Sequence, residues 1–226
     1  MRRLSPYLTR LLLPTRVSPN AVTGAMLPVG LAAAAVLTVP HIAAAAGAVL
    51  LIQLQLLLDC SDGELARVRG ETSPAGIYLD RIAHYFTEAA LPIGLGVRAD
   101  GGWDSLGGWT TLGLVVAVMV VLIKSETVLV NVARAEFGRP KAVDAEAVAA
   151  PRGGLLRSLR GALTRFPFFR AFVAVEASLL AFAAAIADAA AGDERGSRVL
   201  LIALLPVGAI TLAGHLVAIL ASDRLR

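Results

Sequence analysis

The sequence predicts an all-α integral membrane protein: six transmembrane helices behind an N-terminal interfacial amphipathic helix, with both termini in the cytoplasm. Three observations predict it. Of 226 residues, 57% are hydrophobic and only 17% charged, and mean hydropathy is +0.72; such values exclude an ordinary soluble domain. Apolar runs of about 20 residues, the length that crosses a bilayer as a helix, recur between turn residues along the chain. With six crossings, 16 of the 21 lysines and arginines fall on the side of the termini and 3 on the other. That asymmetry marks a cytoplasmic face. The net charge of +4 is modest, and no nucleic-acid partner is expected. The lone Cys60 excludes an intramolecular disulfide.

Residues 1–18 mix Arg2, Arg3, Arg10 and Arg16 with Leu4, Tyr7, Leu8 and Leu11 to Leu13, a pattern suited to a short helix lying in the membrane interface. The alternative is the basic start of a signal peptide; the near-full-length apolar span that follows, with several behind it, favours a retained anchor. Ser18 or Asn20 can cap the first span, and Pro19 breaks it from the interfacial segment. Span one covers about 21–39 and turns at Pro40-His41; span two, about 42–58, delivers Asp59. Gln53 and Gln55 within it need partners in the bundle.

Span three, Gly76 to Val97, carries Asp80, Arg81, His84 and Glu88. A lipid-facing helix does not tolerate four ionisable groups, so this one lines an interior or a wet cavity. A loop from Arg98 to Gly108 leads to span four, Trp109 to Val132, apolar until Lys124 and Glu126. The polar stretch 133–168 reads as a cytoplasmic loop. From Leu155 to Arg170 it alternates Leu or Phe with arginine, as a basic amphipathic helix against anionic headgroups would. Span five is Ala171 to Ala191 and span six Val199 to Ala221. Alanine tracts such as 32–35 and 43–46 permit close helix packing. The whole chain, 1–226, is expected to form one membrane domain.

The candidate chemistry lies between spans two and three. Asp59 and Asp62 are three apart and Asp80 and His84 four apart, so on helices each pair projects from one face. Carboxylates at a membrane boundary are costly unless hydrated or bound to something positive. Two such faces set opposite each other make an oxygen-rich site for a hard divalent cation.

This stretch resembles the signature of the CDP-alcohol phosphotransferase family, D-x2-D-G-x2-A-R-x8-G-x3-D-x3-D. Asp59, Asp62, Gly63, Ala66, Arg67, Gly76 and Asp80 fall at matching positions, and His84 stands where the last aspartate belongs. Pro19-Asn20-x-x-Thr23 is similar to the family's N-terminal hallmark. The resemblance implies an enzyme that transfers a phosphoalcohol group from a CDP-alcohol, a CDP-linked lipid by preference, to an acceptor alcohol, releasing CMP. It implies Mg²⁺ or Mn²⁺ on Asp59, Asp62, Asp80 and His84, and catalytic roles for Asp80 and His84. It also implies nucleotide or phosphate contacts at Gly63, Ala66, Arg67 and Gly76, membrane lipids as surroundings, and a homodimer.

Imidazole at position 84 suits a general base at neutral pH or a ligand for Mn²⁺. Altered acceptor fit and lost activity are the other readings. Thr23 either faces the nucleotide or only supports the helix start. Lys124, deep in span four, needs an anion: a substrate phosphate or a bundle carboxylate. Glu88, one turn from His84, is placed to orient the imidazole. Glu64, Arg69 and Glu71 read as solvated flanks, and His41 and His215 are assigned no site. A cation transporter and an inactive scaffold are the competing classes. Against the first, the cluster hugs the cytoplasmic boundary and no inverted repeat is visible; for the second, only His84 speaks.

Overall fold

The computed structural model describes residues 1–141, 168–222 and 225, and every regular element among them is helical. The helices are α1 (Ser5–Leu12), α2 (Pro19–Leu37), α3 (Ile42–Arg69), α4 (Pro74–Ala99), α5 (Gly108–Glu136), α6 (Ala174–Ala191) and α7 (Arg195–Leu220). Short 3-10 turns lie at Trp103–Ser105 and Phe168–Phe172.

Local chemistry sets the ends. Ser18, not Asn20, caps α2 by accepting the Ala21 N–H, with Pro19 in the first turn. His41 caps α3 through Nδ1, which accepts the Ala43 N–H at 3.1 Å. Gly70, at φ 68°, stops α3, and the Glu71 N–H returns to the Ala66 carbonyl at 2.9 Å. Ser73 then caps α4 ahead of Pro74.

α1 is held to α3 by polar contacts while its apolar side stays outside. Ser5 and Thr9 are buried and donate to Glu64 at 2.6 and 2.7 Å. Leu4, Tyr7 and Leu11 are exposed, as an interfacial helix requires. The Arg69 guanidinium donates to the carbonyls of Leu12, Leu13, Thr15 and Val17, satisfying the open end of α1. Glu64 and Arg69, expected as solvated flanks, are therefore the anchors of α1.

α3 and α4 both pack along α2; α4 also packs on α5, α3 on α6, and α7 on α5 and α6. The core joining them is rich in small side chains, among them Ala33, Ala34, Ala45, Ala48 and Ala185. Close approach needs glycine at two points. A Cβ on Gly94 of α4 would strike the Ala34 carbonyl of α2, and one on Gly30 would strike the Thr87 hydroxyl. The space at Gly30 admits a buried bridge from Gln55 on α3 to Thr87 on α4, 2.8 Å long. That bridge is the partner Gln55 needed.

Among the described residues five helices, α2, α3, α5, α6 and α7, are long and apolar enough to cross a membrane. The sequence predicted six. α4 has 26 residues, but Asp80, Arg81, Glu88 and Arg98 are spread along it, whereas α3 and α5 gather their charges toward their C-terminal ends and keep a long apolar run. Arg98, expected in an outer loop, belongs instead to the last turn of α4 and is 1% exposed. The basic helix expected over 155–170 falls mostly outside the described residues; residues 168–170 belong to the Phe168–Phe172 turn.

Candidate active site

Helical spacing brings two of the three sequence-predicted carboxylates together with His84. Asp59, from α3, and Asp80 and His84, from α4, converge: Asp59 Oδ1 and Asp80 Oδ1 each lie 3.4 Å from His84 Nε2. One ligand atom from each of the three lies within 4.8 Å of the others. Their side chains are 30%, 41% and 33% exposed, so the cluster is open to solvent on one side and walled by helices on the other. Two carboxylate oxygens and an imidazole nitrogen at this spacing fit a divalent ion whose ligands sit about 2.0–2.6 Å away. The nitrogen favours Mn²⁺ over Mg²⁺.

Asp62 stands outside this trio. It is 8% exposed, and its Oδ2 accepts a short hydrogen bond from the Thr23 hydroxyl of α2. Of the four expected ligands, three converge and the fourth is held by α2. Thr23 is thus a partner of Asp62 rather than only a helix-start residue.

The remaining motif residues flank the cluster. The exposed Arg67 folds its guanidinium over Gly63, where a Cβ would sit 3.2 Å from Nη1. Ala66 is half-buried beside them. At Gly76 the space that a side chain would need is taken by Asn20, whose Oδ1 would lie 2.8 Å from a Cβ there. Asn20 also accepts from Ser73 at 3.2 Å. Asn20, which the sequence offered as a helix cap and as part of the Pro-Asn-x-x-Thr pattern, instead packs against the start of α4.

Deeper in the bundle a second group adjoins His84. Lys124 Nζ lies 2.7 Å from Glu88 Oε2 and 5.4 Å from the Tyr85 ring centre. Of its two expected partners the structure supplies the bundle carboxylate. Glu88 is 4% exposed, and its Oε1 lies 3.9 Å from His84 Nδ1. Glu126 points away, toward His215 on α7 at 3.7 Å. His41 is a helix cap and Cys60 a half-buried free thiol.

Residues 16–220 match the family profile described as CDP-alcohol phosphatidyltransferase. Among curated proteins the chain is similar to the "Bifunctional IPC transferase and DIPP synthase" of Aquifex aeolicus, strain VF5. It is 30% identical over 118 residues, 52% of this chain and 25% of that protein's length; the match thus spans about a quarter of that relative. Among solved structures, the fold is similar to phosphatidylinositol phosphate synthase of Mycobacterium tuberculosis in its apo form. The TM-score is 0.51 at 18% identity, over 95% of each chain.

Proposed function

Because the chain belongs to the CDP-alcohol phosphatidyltransferase family, we propose that it moves a phosphatidyl-type group from a CDP-linked lipid to a second alcohol, releasing CMP. The observation that carries this reading is the convergence of Asp59, Asp80 and His84 from two helices into one solvent-open cluster.

Phosphoryl transfer asks for alignment and charge neutralisation more than for covalent help. A Mg²⁺ or Mn²⁺ ion on Asp59, Asp80 and His84, with Asp62 beside them, supplies that neutralisation for the pyrophosphate when bound. Thr23 fixes the Asp62 carboxylate. Arg67 offers two parallel N–H donors to a phosphate oxygen pair, and Gly63, Ala66 and Gly76 keep the adjoining backbone low for the nucleotide. In the reaction the acceptor oxygen bonds to the phosphorus that carries the first alcohol. The bond from that phosphorus to the CMP oxygen breaks, and the hydroxyl proton passes to Asp80, whose second oxygen stays free when the first holds the ion; the one free lone pair of His84 is used as a ligand. Lys124, engaged by Glu88, is read as a tether rather than a phosphate ligand.

The same reading makes α4 a sixth span shielded by its neighbours, places the termini and the cluster on the cytoplasmic side, and pairs two copies of the chain. Native mass spectrometry in gentle detergent is expected to give a two-protomer mass. The deciding experiment measures CMP release from purified protein with CDP-diacylglycerol and water-soluble CDP-alcohols. Each is paired with glycerol phosphate, inositol phosphate and serine, in Mg²⁺ and in Mn²⁺. Metal-dependent CMP release with at least one pair is expected; none with any pair would overturn the reading.

A further inference from the structure

His84 differs from an aspartate in one respect that matters for binding a cation. Either oxygen of a carboxylate can bind, whereas a neutral imidazole has one nitrogen with a free lone pair, fixed by where the ring proton sits. Something must therefore decide which nitrogen faces Asp59 and Asp80. In this structure Nε2 faces them, and Nδ1 faces Glu88 Oε1 at 3.9 Å.

We propose that Glu88, clamped by Lys124, is a positioning residue that holds the His84 proton on Nδ1 and so presents Nε2 as a ligand to the divalent ion. The inference rests on the metal-binding reading of the Asp59, Asp80 and His84 cluster. Glu88 divides its two oxygens: Oε2 takes the Lys124 ammonium at 2.7 Å and Oε1 is left toward Nδ1. A carboxylate that is 4% exposed needs such a cation beside it, and Tyr85 covers the ammonium from another side. At 3.9 Å the contact with Nδ1 is electrostatic rather than a hydrogen bond, and it still favours the tautomer with a proton on that side. Ligating histidines are oriented in this way by a carboxylate on the other ring nitrogen. Glu88 and Lys124 lie outside the aspartate motif and act only through His84.

The test is Mn²⁺ binding to the full-length protein in nanodiscs, followed by electron paramagnetic resonance without any substrate. Wild type is expected to show nitrogen coupling from one imidazole, lost in His84→Asp. Glu88→Gln is expected to weaken Mn²⁺ binding by about 10- to 100-fold, the usual effect of removing such a partner. The same change in a His84→Asp background is expected to alter it by no more than about twofold, because Glu88 acts through the imidazole and the two positions are coupled. Should Glu88→Gln fold poorly, Glu88→Gln with Lys124→Met removes both charges of the pair together, so that neither is left without its partner, and the same loss of affinity is expected. No nitrogen coupling in wild type, unchanged affinity in a folded Glu88 variant, or equal losses in the two backgrounds would overturn the proposal. Binding is read without turnover, so a protein that passes this test yet releases no CMP would refute the proposed activity alone.

Discussion

The two ends of α4 treat charge in opposite ways. At its C-terminal end Arg98 is buried, donates to Asp188 at 3.3 Å and to the Val39 and His41 carbonyls at 2.7 and 3.2 Å. Asp188 in turn accepts from the Ser197 hydroxyl and N–H at 2.6 and 3.0 Å. Nearby, Asp100 accepts N–H groups of Gly107, Trp109 and Thr110 and the Thr110 hydroxyl. About 21 Å away along the helix, at 1.5 Å per residue from Arg98 to His84, Asp59 and Asp80 share one imidazole and stay partly open to solvent. The first end is self-sufficient and joins α2, α3, α4, α6 and α7. The second is short of positive charge. Charges that the protein balances itself are holding the bundle together; charges it leaves unbalanced mark where a cation and a substrate are to act.

The largest effect is expected at Arg98. Arg98→Ala leaves Asp188 buried without its cation, a loss of about 3–5 kcal/mol, and the thermal midpoint is expected to fall steeply. Activity then fails only through unfolding. Asp59→Asn or Asp80→Asn should do the reverse. CMP release should drop at least about a hundredfold, near 2.7 kcal/mol on the barrier, with the midpoint measured without metal unchanged or higher, since a like-charge repulsion is relieved.

A smaller effect is expected at Asp100, which caps the start of α5 from the preceding loop. Asp100→Ala should cost about 1 kcal/mol, as lost caps do. Burial pushes the Asp100 carboxyl up, but the hydrogen bonds from Thr110, Gly107 and Trp109 more than reverse this and hold it below the ordinary carboxylate range. A carboxyl lowered on folding adds stability above its unfolded value near 4, and that stability is lost as pH falls through the lower folded value. The midpoint difference between wild type and Asp100→Ala should therefore be full at neutral pH and shrink in acid. Smallest of all, Thr23→Val should keep the fold and cost about 1 kcal/mol of transition-state stabilisation through a less well-held Asp62, roughly fivefold in CMP release.

The open end was far more legible in the sequence than the closed one. The spacing of four on α4 puts Asp80 and His84 on one face, because helix geometry alone fixes such faces; the short turn between α3 and α4 keeps Asp59 within reach of them. The helix stops were equally local: Ser18, His41, Gly70 and Ser73 act within a few residues of themselves. Arg98 was different. Its partner Asp188 is 90 residues away, so position suggested only one more basic residue beyond a span. Lys124 could not be assigned for the same reason, since choosing between Glu88 and a phosphate requires knowing which face of α4 meets α5. Asp62 shows the limit of spacing: it shares a helix face with Asp59, but Thr23 of another helix decides what its oxygen binds.

Whether the open end is short of a cation is decided by thermal unfolding of the purified protein across a Mn²⁺ titration. A ligand that binds only the folded state at a hundred times its dissociation constant adds about 2.7 kcal/mol. The wild-type midpoint is therefore expected to rise with Mn²⁺, and the rise to vanish in Asp80→Asn while Asp100→Ala keeps it. A wild-type midpoint indifferent to Mn²⁺ and Mg²⁺, or a rise of the same size in Asp80→Asn, would contradict the account.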